Sequence, residues 1–147
     1  MRRFLPGAFV AVAIIAALLV GSVTRVPAAP PSQPLPGAAE GRCPKLAMQR
    51  LDANATARAT NAALAEARAV YRGTNLKGMQ ATKAVLARLD DPGRGGYARV
   101  KCGRRAQTRT VVVYLEFPAM RPSASLSQGV VLVSKFAGMY RVWAQLH

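Results

Sequence analysis

The chain has 147 residues, 51% of them hydrophobic, with 21 basic against 6 acidic side chains and a formal charge of +15. That size and apolar content exclude a fully disordered polypeptide and suit a single core-bearing domain. One histidine, two cysteines and six acids leave little material for acid–base catalysis or a metal centre.

In chain order, Phe4 to Val23 is a nearly unbroken apolar run behind Arg2 and Arg3. At about 20 residues it is long enough for a spanning helix and is patterned like an export signal. Arg2 and Arg3 would hold the N-terminus in the cytoplasm. The expectation is a cell-membrane protein with a single pass and its domain outside the cytoplasm. Val26-Pro27-Ala28 offers small residues around a cleavage position, so the alternative is secretion after cleavage near Ala28. Residues 1–28 are thus signal anchor or signal peptide. Pro30, Pro31, Pro34 and Pro36 make residues 29–40 a Pro-rich linker of extended, spacer-like character. Residues 41–147 form the single α+β domain. Losing Arg2, Arg3 and Arg25 takes the charge from +15 to +12, still enough to draw in polyanions.

Lys45 to Tyr71 is alanine-rich, follows Pro44 and ends before Gly73, which predicts one long helix. Met48, Leu51, Ala55, Ala59, Ala62 and Val70 share its packing side, with Glu66 beside them. Arg50, Arg58, Arg68 and Arg72 line another side as a candidate basic stripe, with no acid at helical spacing from any of them. Thr74-Asn75 would cap a second helix, Leu76 to Leu89, closed by Asp90-Asp91-Pro92-Gly93. From Tyr97 the period changes. Tyr97–Gly103, Thr108–Phe117, Gln128–Phe136 and Met139–His147 read as four strands, with Arg104–Gln107 as a short turn and Ala137-Gly138 as a hairpin turn. The expected fold class is therefore α+β: two N-terminal helices packed on one face of a four-stranded antiparallel meander, preceded by one hydrophobic N-terminal helix.

Alternation sorts the sheet faces. Ala98, Val100 and Cys102, with Val111, Val113, Leu115, Phe117, Val130, Leu132 and Phe136, are expected to face the helices. Tyr140, Val142, Ala144 and Leu146 complete that set. The outward set, a candidate binding face, holds Tyr97, Arg99, Lys101, Tyr114, Val131, Val133, Lys135, Arg141 and Trp143. A bare face of that kind marks an interaction surface unless a loop such as Pro118–Ser127 covers it.

Cys43 precedes the first helix and Cys102 points toward the helix layer, so both inferences bring them together. Outside the cytoplasm such a pair joins as a disulfide. Closing a 59-residue separation stabilises by about 4 kcal/mol on chain-entropy grounds. No catalytic residue, metal ligand set or cofactor site can be assembled: the one histidine is the terminal His147, and the acids do not cluster with a nucleophile.

The expected function is a non-enzymatic interaction or assembly module of the cell envelope, working through a protein partner or self-association. The alternative is a polyanion-binding module for an anionic lipid or acidic wall polymer. The export signal argues against nucleic acid. Helices followed by antiparallel strands ending in Tyr140-Arg141-Val142-Trp143 loosely resemble membrane-anchored domains of the NTF2-like type. That resemblance implies a curved sheet with a small-molecule pocket as a further alternative, and it implies no functional residue.

Overall fold

The computed structural model describes residues 33–87, 93–120 and 126–146. The apolar run at 4–23, its cleavage position, most of the Asp90–Gly93 turn and His147 lie outside these residues. Among the described residues, no helix is long and apolar enough to cross a membrane.

The element order is α1 (Ala55–Val70), β1 (Gln80–Leu86), α2 (Arg94–Cys102), α3 (Arg104–Gln107), β2 (Thr110–Glu116), a 3-10 turn (Pro118–Met120), β3 (Gln128–Phe136) and β4 (Met139–Leu146). The four strands form one antiparallel sheet in the order β1-β2-β3-β4. The fold is α+β and the meander is present, but two elements exchange type. The span expected as the second helix supplies strand β1, and the span expected as the first strand is helix α2.

Physical reasons for both exchanges are visible. In β1 the register shifts between Ala81 and Lys83, leaving Thr82 as an extra residue opposite β2. Ala81 and Ala84 then share a face despite being three apart, so a bulged strand imitates helical spacing. Asn75, expected as a helix cap, instead accepts a hydrogen bond from the Lys77 N–H at 3.1 Å within a turn. In α2, Gly95, Ala98 and Cys102 sit at helical spacing on the packed side, and Gly95 and Ala98 are fully buried. Ala98 and Cys102 also satisfy alternation, which hid the helix. Gly95 is needed there: a Cβ would lie 2.1 Å from the Ala87 carbonyl oxygen at the end of β1.

The first helix is also shorter than expected. Residues 41–54 form a non-helical strap (the strap hereafter) instead of its first turns. The Gln49 N–H donates to the Lys135 carbonyl at 2.8 Å, and the Gly138 N–H donates to the Gln49 side chain at 2.9 Å. The Asp52 side chain accepts from the Asn54 N–H, and the Asp52 carbonyl from the Ala55 N–H, so α1 begins only there. Tertiary hydrogen bonds to the β3–β4 hairpin outweigh the local helical preference of this segment.

The sheet is covered on both faces. On one, α1 lays Ala55, Ala59, Ala63, Ala67 and Val70 against Val111, Val113, Val131, Val133 and Val142. Small side chains let the helix sit close to the strands. On the other, Ala98 of α2, Leu35 and Met48 pack with Val112, Val130, Leu132, Phe136 and Trp143. This corrects the expected single helical layer, and it corrects the face assignment of β3. Val113 opposes Val131 and Val111 opposes Val133, so cross-strand partners share the α1 side, while Val130, Leu132 and Phe136 point away from it. In β4 the register shifts opposite Leu132 and Val133, where Trp143 is the extra residue. The phase flips there: Tyr140 and Val142 face α1, but Ala144 and Leu146 face α2.

The free edge of β4 is occupied by the preceding chain. The Leu35 N–H donates to the Val142 carbonyl and the Gln145 N–H to the Ala38 carbonyl, both at 2.9 Å. The stretch expected as linker is thus partly built into the domain. Ala137 (φ 46°) and Gly138 (φ 86°) make the expected two-residue hairpin turn.

Candidate anion-binding surface

Cys43 and Cys102 are joined, with their Cα atoms 5.5 Å apart. The bond fastens the strap to the end of α2. Each side brings positive charge: Arg42, Lys45 and Arg50 on the strap, and Arg94, Arg99, Lys101, Arg104, Arg105 and Arg109 in or just after α2 and α3. No acidic residue occurs between Arg94 and Arg109. Gly103, at φ 83°, lets the chain turn from α2 straight into α3, and its N–H donates to the Arg99 carbonyl at 2.8 Å. The Thr108 hydroxyl donates to the Arg105 carbonyl at 2.9 Å and the Arg109 N–H to the Ala106 carbonyl at 3.0 Å. Helical geometry therefore persists through Thr108. Residues 105 and 109, four apart, fall on one side.

Between the strap and α3 lies a groove of about 680 Å³, with Arg50, Leu51 and Asp52 on one wall and Leu86, Arg105, Thr108 and Arg109 on the other. Arg105 and Arg109 also line a smaller cavity of about 230 Å³ beside the disulfide. Arg109 is half-buried and donates through its guanidinium to the Met48 carbonyl. Arg105 is exposed.

The acids among the described residues all have partners. Glu40 pairs with Arg42 at 3.6 Å, and Glu116 accepts from the Gln80 amide at 2.8 Å. Asp52 meets Lys135 at 3.2 Å and Arg58 at 3.5 Å. Partial burial alone would raise the Asp52 pKa, but Lys135, Tyr140 and Arg58 outweigh it and hold the carboxyl below its ordinary value. Glu66, buried under α1, accepts from Arg141 Nε at 3.1 Å and from the Val142 N–H at 2.8 Å. The partner of Glu66 is thus an arginine of strand β4. Among the described residues no three potential metal ligands gather.

The residues expected to share one open sheet face are dispersed. Val131 and Val133 are buried beneath α1, and Trp143, 1% exposed, is buried on the opposite face, where its indole donates to Ser134 at 3.0 Å. Tyr97, Arg99 and Lys101 lie on α2, where Tyr97 donates to the Gly41 carbonyl at 3.1 Å and Lys101 stands over its ring. Tyr114 sits under Lys83, Lys135 belongs to the Asp52 cluster, and Arg141 to Glu66. The covering is supplied by α2 and by Leu35 and Met48, while residues 121–125 of the loop expected to do so lie outside the described residues. Of the basic stripe, Arg58 and Arg68 are on α1, Arg72 follows it, Arg50 belongs to the groove, and Arg58 is paired. Arg104 and Arg105 lie in the stretch expected as a turn and Arg109 in the stretch expected as a strand, and none of the three is among the expected site residues. The signal for them was the acid-free run of six basic residues between 94 and 109.

In comparisons with known proteins, no family model, no curated sequence and no solved structure matches this chain.

Proposed function

We propose that this chain is a non-enzymatic module of the cell envelope, exported or held at the membrane by residues 4–23, whose basic α2–α3 ridge engages an acidic partner. The observation that carries the reading is the ridge itself: six basic residues without an acid between them, fastened by the disulfide to three more on the strap. A net surplus of fixed cations raises the local concentration of polyanions, and does so without a shaped site. The α1 side, where an NTF2-like pocket would lie, is filled by alanines packed on valines, and this favours the ridge over a small-molecule interior.

The test uses the oxidised full-length chain in zwitterionic micelles, titrated with polyphosphate. Affinity is expected to fall roughly tenfold or more between about 50 and about 200 mM salt, because each phosphate neutralised releases counterions. Binding that is absent at the lower salt, or indifferent to salt, overturns the reading.

A second reading, an acidic protein partner or a second copy, is supported by two exposed apolar side chains flanking the disulfide. Val100 is 83% exposed and Leu46 58%. Apolar anchors inside an arginine-rich rim are the composition interfaces favour. Concentration-dependent association abolished by Val100→Asp, with polyphosphate affinity retained, would favour this reading.

A further inference from the structure

We propose that the groove between the strap and α3 is a site for a phosphate ester, with Arg50 and Arg105 holding its phosphoryl oxygens and Arg109 as a fixed donor behind them. The proposal rests on the ridge reading above and narrows it to one place and one ligand chemistry.

Three observations converge. The first is the donor set. Guanidinium groups present paired N–H donors in a plane, which matches phosphoryl oxygens two at a time. Arg50 comes from the strap and Arg105 and Arg109 from the α3 turn, so the set exists only in the folded chain. None of the three has an ion-pair partner among the described residues. Asp52 lines the same groove, but Lys135 and Arg58 already hold its carboxylate. Three cations suit the two negative charges of a phosphate monoester better than the single charge of a carboxylate.

The second is preorganisation. Arg109 spends one N–H on the Met48 carbonyl, which ties its half-buried side chain to the strap and leaves other donors available. A donor already held in place loses less entropy on binding than a free surface arginine.

The third is size and lining. At about 680 Å³ the groove is far larger than a bare phosphate and falls within the range of sites for organic ligands. Leu51 and Leu86 supply apolar wall beside the arginines. The ligand therefore carries an organic group on its phosphate, either a soluble ester or the headgroup of a lipid.

The oxidised full-length chain in zwitterionic micelles is titrated with glycerol 3-phosphate and followed by backbone amide shifts. Saturable shifts are expected at residues 105–109 and at Arg50, with none from glycerol and binding at least about tenfold weaker with acetate. Arg105→Gln should weaken the ester about tenfold, whereas Arg99→Gln, which removes the same charge from α2 outside the groove lining, should change it less than about twofold. Both side chains are exposed, and an unchanged Trp143 emission confirms that each variant is folded. Equal losses from the two variants, or no saturable shift with either glycerol 3-phosphate or phosphatidate dispersed in the micelles, overturn the site. Shifts with the soluble ester alone assign it to such esters; shifts with phosphatidate assign it to a lipid headgroup. Salt-sensitive polyphosphate binding that persists with the groove silent refutes this site and leaves the ridge standing, whereas loss of polyphosphate binding by the unaltered chain refutes the ridge itself.

Discussion

Gly95 and Gly96 are neighbours in α2, and replacing each with alanine should move stability in opposite directions. Alanine ordinarily stabilises a helix at a glycine position by about 0.4–1 kcal/mol, because it restricts the unfolded chain. At Gly96 nothing lies within 4 Å of the added Cβ, so that gain should appear in full. At Gly95 the Cβ would sit 2.1 Å from the Ala87 oxygen and 2.7 Å from its carbonyl carbon. Those are backbone atoms at the end of β1 and cannot rotate away, so α2 must lift from the sheet. Overpacking of this kind costs about 1–3 kcal/mol, which exceeds the helical gain and leaves a net loss of roughly 1–2 kcal/mol. The assay is urea unfolding followed by the emission of Trp143, the one tryptophan, buried in the layer against which α2 packs. The Gly95→Ala midpoint should fall by roughly 0.5–1 M and the Gly96→Ala midpoint should rise slightly. If both variants gain stability, α2 does not seat on β1, and the second layer of the fold is wrong.

Glu66→Ala removes the buried carboxylate that receives Arg141 and the Val142 N–H. Stripping one partner from such a pair should cost about 2–4 kcal/mol in the same assay, somewhat less than for a wholly buried pair because Arg141 keeps partial solvent access. The double variant Glu66→Leu/Arg141→Leu should recover much of that loss, and a single variant costing under about 1 kcal/mol would contradict the pairing. At alkaline pH, Tyr71 should limit stability. Burial pushes its phenol well above the ordinary value of 10.0, the hydrogen bond to the Val130 carbonyl opposing this only in part. A raised folded value means that its contribution is intact below pH 10 and is lost as pH climbs from there toward the folded value. Tyr71→Phe should flatten this decline while costing about 1 kcal/mol at neutral pH, and the slope that remains belongs in part to Tyr140, which burial also raises. An unaltered alkaline limb in Tyr71→Phe would refute the assignment.

What could be read along the chain was whatever a single segment settles by itself. The alanine side of α1, the three strands from Thr110 onward and the Ala137-Gly138 turn each rest on local periodicity or a local backbone demand, and they stand where they were expected. The Cys43–Cys102 pair was legible for a different reason, since a chain with two cysteines leaves one pairing to make. The candidate site was not legible. Arg50 and Arg105 are 55 positions apart, and they face one groove only because α2 and the strap meet at the disulfide.

The amino-acid sequence by itself determined the composition of the layers: apolar side chains for an α+β core, a surplus of arginine that its few acids cannot neutralise, and one disulfide. The tertiary structure alone decided the identity of β1 and α2, the coverage of both sheet faces, and the position of Trp143 in the core. Periodicity reports one face of one element at a time. A bulge such as that at Thr82 gives a strand the spacing of a helix, and a stripe such as Gly95-Ala98-Cys102 passes partly for alternation. Only the partners resolve the ambiguity: cross-strand register assigns Val131 to one face, and close backbone approach at Gly95 assigns α2 to the other.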